Sequence, residues 1–267
     1  MDNRPIGIFD SGLGGLTGLM ALRELLPEEN LIYFGDTGRL PYGGRPASQL
    51  RKMARQNLDF MAGFDVKAVF VACGTFSSTA AEILAQNPIP TFGVLRAGVE
   101  DMARVPGDGP LAVIATQASI DSGAFARALA ERCPGREILP VPCPAFVPLI
   151  EGGHTRPGDP ELEQALERYL RPVKEAGAQA LLYGCTHYGI IDVAVRTYLG
   201  PAVQTVSASA CAAQELADFL LRENRCGGSG EERYFTNGDP IAFAESAERL
   251  LGHALPAAVE KTAVLEC

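Results

Sequence analysis

The chain is predicted to be an α/β protein of parallel sheets, arranged as two similar lobes. Three observations carry that expectation. Apolar runs of strand length alternate with helix-length segments, the strands are apolar without a polar alternation, and one strand-to-thiol pattern occurs twice.

The first run, Ile6–Phe9, is followed by Leu16–Leu26, whose apolar residues recur at helical spacing, and then by the run Leu31–Phe34. Ser48–Ala62 reads as the next helix, and Ala68–Ala72 and Thr91–Leu95 as strands. Leu111–Ala115, Glu137–Val141, Ala180–Tyr183 and Val203–Val206 complete the main strands, with helical segments at Ala118–Arg132 and Pro160–Ala176. Ala208–Arg222 is a further helix, Cys226–Gly230 a surface loop and Arg233–Thr236 a last short element. Continuously apolar strands suit a parallel sheet covered on both faces. Ligands of such sheets bind beyond the C-terminal ends of the strands, which is where the polar residues of this sequence gather.

The repeated pattern is Ala68-Val-Phe-Val-Ala-Cys73-Gly-Thr75 and Ala180-Leu-Leu-Tyr-Gly-Cys185-Thr186-His187. Each is a strand that ends in Cys and is followed by Thr and a helix. Strand-to-helix turns look alike and buried Cys is common, so the echo alone permits coincidence. The sharper reading is two similar lobes, each presenting one thiol at a strand end. The loop Arg104–Pro110 would separate them, with the chain crossing back near Ser207. Residues 1–97 plus 208–267 would form lobe one, and 98–207 lobe two.

Composition removes several function classes. The 267 residues carry 23 Lys+Arg against 32 Asp+Glu, a net charge of −9, and 47% are hydrophobic. A chain of that size buries a core without metal or disulfide staples. With no basic block it is a poor match for nucleic acid or an anionic membrane. No stretch approaches the roughly 18 consecutive apolar residues of a membrane span. Asp2 and Asp10 flank the first apolar run, so no signal peptide is expected. The seven cysteines are odd in number and form no C-x-x-C pair, so they read as reduced thiols of a cytoplasmic protein. Lysine occurs only at 52, 67, 174 and 261, and histidine only at 154, 187 and 253. Chemistry is therefore expected from thiols and carboxylates, with no cofactor and no metal.

A thiol between a strand end and a helix start meets unpaired backbone N–H groups that favour the thiolate. One such Cys suggests a nucleophile. Two on opposite lobes suggest inversion of a stereocentre, which needs a base on one face of a carbon and an acid on the other. Phe9-Asp10-Ser11-Gly12-Leu13-Gly14-Gly15 follows the first strand, but the dinucleotide fingerprint fails at Thr17. Asp10 and Ser11 instead look like groups facing a ligand, against the plainer reading of Asp10 as a helix cap. Gly35-Asp36-Thr37 through Pro41-Tyr42-Gly43-Gly44 places an acid, a hydroxyl and a ring at the second strand's end. Thr116, Ser119 and Ser122 offer hydroxyls at the matching place in the second half, and Glu151 follows the charge-free run Ile138–Ile150. His187 stands two residues from Cys185, where it could pair with a thiol or a substrate amine. His154 and His253 are assigned no role. Cys133, Cys143, Cys211, Cys226 and Cys267 read as packing or surface thiols.

In combination, Gly7 through Gly15, Tyr33-Phe-Gly35-Asp36-Thr37 with Pro41-Tyr42-Gly43, Ala72-Cys73 with Thr75, and Gly184-Cys185-Thr186-His187 resemble cofactor-independent glutamate racemases. The likeness runs on to Phe235-Thr236-Asn237-Gly238-Asp239, nearly the whole chain. The resemblance implies two pseudo-symmetric parallel-sheet lobes, the first completed by the C-terminal segment, with the active site in the cleft between them. It implies interconversion of L- and D-glutamate, which supplies D-glutamate for peptidoglycan. It implies that Cys73 faces D-glutamate and Cys185 L-glutamate, exchanging the roles of acid and base with direction. Asp10, Asp36, Glu151 and His187 match the family's supporting groups in catalysis. Ser11, Pro41, Tyr42, Gly43, Gly74, Thr75, Thr116, Ser119 and Thr186, with Asp10 and His187, match its substrate-contacting positions. The partner implied is the small-molecule substrate, and a homodimer is compatible with the resemblance.

The chain departs from the family at Gly74, where Asn is usual, and at Gly189, where Pro is usual; Ser119 replaces Thr. The lost Asn bears on substrate affinity and identity, at about 1–3 kcal/mol for a missing buried partner. The chain begins almost at its first strand, so the N-terminal extension tied to activation in some relatives is not expected. Three other readings stand beside the first. They are the same chemistry on aspartate or another small amino acid, a Cys-His hydrolase using Cys185 and His187, and a non-catalytic amino-acid-binding protein.

Overall fold

A computed structural model describes residues 1–42 and 45–263. Its strands are β1 (Ile6–Asp10), β2 (Leu31–Gly35), β3 (Ala68–Val71), β4 (Thr91–Gly93), β5 (Leu111–Ala115), β6 (Ile138–Pro142), β7 (Ala180–Tyr183), β8 (Gln204–Ser207), β9 (Glu232–Thr236) and β10 (Val259–Lys261). They form two parallel sheets, one ordered β10-β9-β2-β1-β3-β4 and the other β6-β5-β7-β8. With β9 and β10 set aside, both sheets follow one plan, 2-1-3-4 and 6-5-7-8. The pseudo-symmetry expected from the sequence is thus a property of the topology.

The central strands are apolar because each is covered twice. Ile6, Ile8, Tyr33 and Phe70 of the first sheet and Leu111, Val113, Leu182 and Val206 of the second join one buried cluster. Between the sheets lie the helices Leu16–Leu25, Val94–Met102 and Ala208–Arg222, whose Leu19, Leu22, Val99, Met102, Leu216 and Leu220 fill that cluster. The outer face of the first sheet packs on Leu50, Met53 and Leu58 of the helix Ala47–Ala62. The outer face of the second packs on Leu162, Leu166, Leu170 and Val173 of the helix Pro160–Glu175. Burying such a side chain stabilises by about 1.5–3 kcal/mol, so these two faces and the shared centre account for most of the apolar pattern.

Three elements differ from their predicted spans. The helix expected over Ala118–Arg132 is two, Gln117–Asp121 and Ala124–Arg132, broken where Gly123 takes φ +65°. The run Thr91–Leu95 is a strand only to Gly93, because Val94 already opens a helix. The segment after Cys185 starts as a 3-10 turn, Thr186–Ile191, and becomes an α-helix only at Asp192–Leu199. Among the described residues, no helix is long and apolar enough to cross a membrane.

Candidate active site

Equivalent strands of the two sheets send their C-terminal ends toward one cavity of about 550 Å³. From β1 come Asp10 and Ser11, from the loop after β2 Pro41 and Tyr42, and from beyond β3 Cys73, Gly74 and Thr75. From beyond β5 comes Thr116, from beyond β6 Cys143 and Glu151, and from beyond β7 Cys185, Thr186 and His187.

Cys73 is the residue on which the helix Gly74–Thr79 begins, and it is 3% exposed. Its Sγ lies 3.7 Å from Ser11 Oγ. Burial pushes its thiol well above the ordinary range and the Asp10 charge adds to that, while the N–H groups of Phe76 and Ser11 pull the other way. Desolvation therefore overrides the helix-start preference for thiolate that the sequence suggested. Asp10, 1% exposed, accepts from Gly15 N at 2.7 Å and from Ser11 Oγ at 3.4 Å. Burial raises its carboxyl, against the His187 charge and the Gly15 N–H.

Cys185 is 7% exposed, with Sγ 3.8 Å from His187 Nδ1. His187 Nε2 is 3.0 Å from Glu151 Oε1, so the ring bridges a sulfur and a carboxylate. Burial works against charge on the ring, but Cys185, Glu151 and Asp10 outweigh it and push His187 up to about 10. Gly14 makes the arrangement possible, since a Cβ there would come within 2.5 Å of Thr186 Oγ1 and 2.6 Å of His187 Cε1. The two halves are tied by Thr75 Oγ1 and Thr116 Oγ1, 3.1 Å apart, and by Thr17 Oγ1, which lies 3.1 Å from Thr186 O.

Asp36, expected to support catalysis, and Ser119, expected to touch substrate, lie behind the cavity. Asp36 is fully buried and accepts from Arg39 Nε at 2.7 Å and Asn237 Nδ2 at 2.7 Å, as well as from Tyr42 Oη. Ser119 is fully buried too, its Oγ 2.9 Å from Thr116 Oγ1. Gly43 lies outside the described residues, as does Cys267. Cys143, read from sequence as a bystander, is on the cavity wall beside Pro144, Val147 and Pro148, and burial raises its thiol strongly. Nothing local distinguishes it from Cys133; its place at the end of β6, matching the strand ends already singled out, was the available signal.

The sequence model of the family described as Asp/Glu/hydantoin racemases matches residues 36–216. A glutamate racemase of Thermus thermophilus is 41% identical over 250 residues, 92% of each chain. One of Thermoanaerobacter pseudethanolicus is 37% identical over 254 residues, 94% of this chain and 95% of that one. The solved glutamate racemase of Francisella tularensis, in complex with D-glutamate, superposes with a TM-score of 0.90 at 34% identity, covering 99% of both chains.

Proposed function

Because the chain belongs to the Asp/Glu/hydantoin racemase family, we propose that it interconverts L- and D-glutamate by proton transfer at the α-carbon between Cys73 and Cys185. The observation that carries this reading is that two thiols, held by matching strand ends of different sheets, open into one cavity. In the L-to-D direction Cys185 takes the α-proton and Cys73 delivers its own proton to the opposite face. Cys185 ends as thiol and Cys73 as thiolate, and exchange with solvent resets the pair. The reverse direction exchanges the roles.

The supporting groups follow from their contacts. His187, charged and donating toward Cys185 from Nδ1 and to Glu151 from Nε2, sets positive charge beside that sulfur. Asp10, adjacent to Ser11 and the Cys73 side, serves the other thiol. The hydroxyls of Ser11, Thr75, Thr116 and Thr186 are assigned to the substrate's carboxylates and ammonium. Asp36 acts by holding the loop that carries Tyr42. A positioned acid or base contributes about 10²–10⁴-fold, so two positioned thiols can carry a large part of the acceleration without a lysine.

The lobes in this reading are 1–97 with 208–267 and 98–207, and the protein works in the cytoplasm to supply D-glutamate for peptidoglycan. Assembly as a homodimer is part of the same proposal and is read by molar mass in solution. The deciding experiment incubates the purified protein with L-glutamate in deuterium oxide, without added cofactor. Optical rotation should decay while deuterium enters the α-position. The absence of both changes would refute the reading, and a panel including aspartate would test the substrate.

A further inference from the structure

Gly74 follows one thiol, Gly184 precedes the other, and the two residues meet. A Cβ built on Gly74 would lie 3.0 Å from the Gly184 carbonyl carbon, 3.6 Å from Cys185 Cα and far inside contact distance of the Gly184 carbonyl oxygen. Gly74 is not among the residues of positive φ, so space rather than backbone conformation excludes a side chain. Both partners are main chain and cannot swing aside as the end of a long side chain would. Each is also fixed from behind. Gly184 N donates to Ile114 O at 2.8 Å, while Ala72 N donates to Phe9 O at 3.0 Å and Ser77 N to Cys73 O at 2.9 Å.

We infer that the Gly74–Gly184 contact is a stop that sets the spacing of the two sulfurs, which makes Gly74 a positioning residue for both proton transfers. The inference rests on the two-thiol reading above. Proton transfer requires each sulfur to approach the same carbon to about 3–3.5 Å, and a misplacement of about 1 Å can cost ~10²-fold. A methyl group on Gly74 cannot be seated until the end of β3 and the end of β7 move apart, and Cys73 and Cys185 move with them. The Gly184 carbonyl, from the other half of the chain, stands where a side chain on residue 74 would begin. Gly74→Asn is therefore expected to impair the enzyme rather than restore a missing contact.

The test compares the full-length wild type with Gly74→Ala and Gly74→Asn, using both enantiomers of glutamate in deuterium oxide. Wild type should invert the substrate. The variants should keep a cooperative thermal transition and a KM within a few-fold, with kcat lower by ~10²-fold. Unconverted substrate should also gain α-deuterium faster relative to inversion than it does with wild type. The near thiol still removes and returns a proton, while the displaced thiol fails to deliver one. A role in folding alone would lower the amount of active enzyme without moving that ratio. Wild-type kcat in either variant, a slowed variant with an unchanged ratio, or failure of both variants to fold would each overturn the inference. A wild type that neither exchanges nor inverts glutamate would defeat the two-thiol reading itself, and this inference with it.

Discussion

The ends of β3 and β7 are matched in topology and opposed in charge. Beyond β3, Cys73 shares its burial with Asp10 and Ser11. Beyond β7, Cys185 faces His187, and Glu151 backs the ring. The repeated strand order brings two thiols to one cavity, but it does not make them equivalent. The Cys73 side is arranged to keep a proton, since burial and a neighbouring carboxylate both oppose the thiolate. The Cys185 side is supplied with a cation. Under the two-thiol reading this difference suits the L-to-D direction, with Cys185 as base and Cys73 as acid. The enantiomers have equal free energy, so kcat/KM must be the same in both directions whatever the asymmetry. Isotope effects and pH profiles are the measurements that can see it.

The largest effect expected is from either thiol. Cys73→Ser and Cys185→Ser should each lower racemisation by ~10³-fold or more, because a hydroxyl is a far poorer acid–base group at neutral pH. Polarimetry in both directions checks this, and near-normal turnover in either variant would break the pairing. The next effect separates the two sides. His187→Gln and Asp10→Asn should each slow turnover by ~10²-fold. His187→Gln should raise the primary isotope effect with α-deuterated L-glutamate, and Asp10→Asn that with the D-enantiomer. If both variants raise it for the same enantiomer, the division of labour is wrong.

The charge on His187 also has a signature in stability. Its folded value, about 10, stands above the ordinary 6.5, so the folded state holds the proton more tightly than the unfolded chain. Its contribution is fully present below pH 6.5 and is lost as pH rises through about 10. The stability of wild type relative to His187→Gln should therefore be constant below pH 6.5 and fall between 6.5 and about 10, as read from urea unfolding. A difference that stays flat across that window would mean the ring is neutral in the native protein.

Much of this site is written locally in the sequence. Asp10, Cys73, Thr75, Cys185 and His187 are legible because each sits within three residues of the place where an apolar run gives way to glycine or a hydroxyl. Asp36 has the same local signature but a different fate. Arg39, in the same turn, and Asn57 and Asn237, from distant segments, draw it under the loop, and partners 21 and 201 residues away leave no local trace. Cys143 shows the converse, a cavity residue at a strand end flanked by Pro142 and Pro144 rather than by glycine or a hydroxyl. The strand Val259–Lys261 was missed because only three residues pair, at a sheet edge where two of them are exposed. The helix Pro240–Leu251 was missed despite a readable start. Asp239 accepts from Ile241 N and Ala242 N, and Pro240 takes the first helical position.

Asp36 gives the smallest expected effect on turnover and, set beside Asp10, the cleanest contrast in role. Asp10 ends β1 and Asp36 directly follows β2, yet only Asp10 lines the cavity. Asp36 is fully buried against an Arg39 that is 3% exposed, and Asn237 completes its hydrogen bonds. Neutralising one member of such a pair leaves a buried guanidinium without its counter-charge, a loss of about 3–5 kcal/mol. Asp36→Asn should therefore lower the midpoint of urea unfolding markedly. Below its unfolding transition the variant should turn over within a few-fold of wild type, with KM rising because Tyr42 loses its acceptor. Asp10→Asn should do the reverse, with turnover falling and stability little changed or improved, since burial disfavours the Asp10 charge. If Asp36→Asn abolished turnover while leaving unfolding unchanged, Asp36 would belong in the cavity's chemistry after all, and the distinction between the two carboxylates would fall.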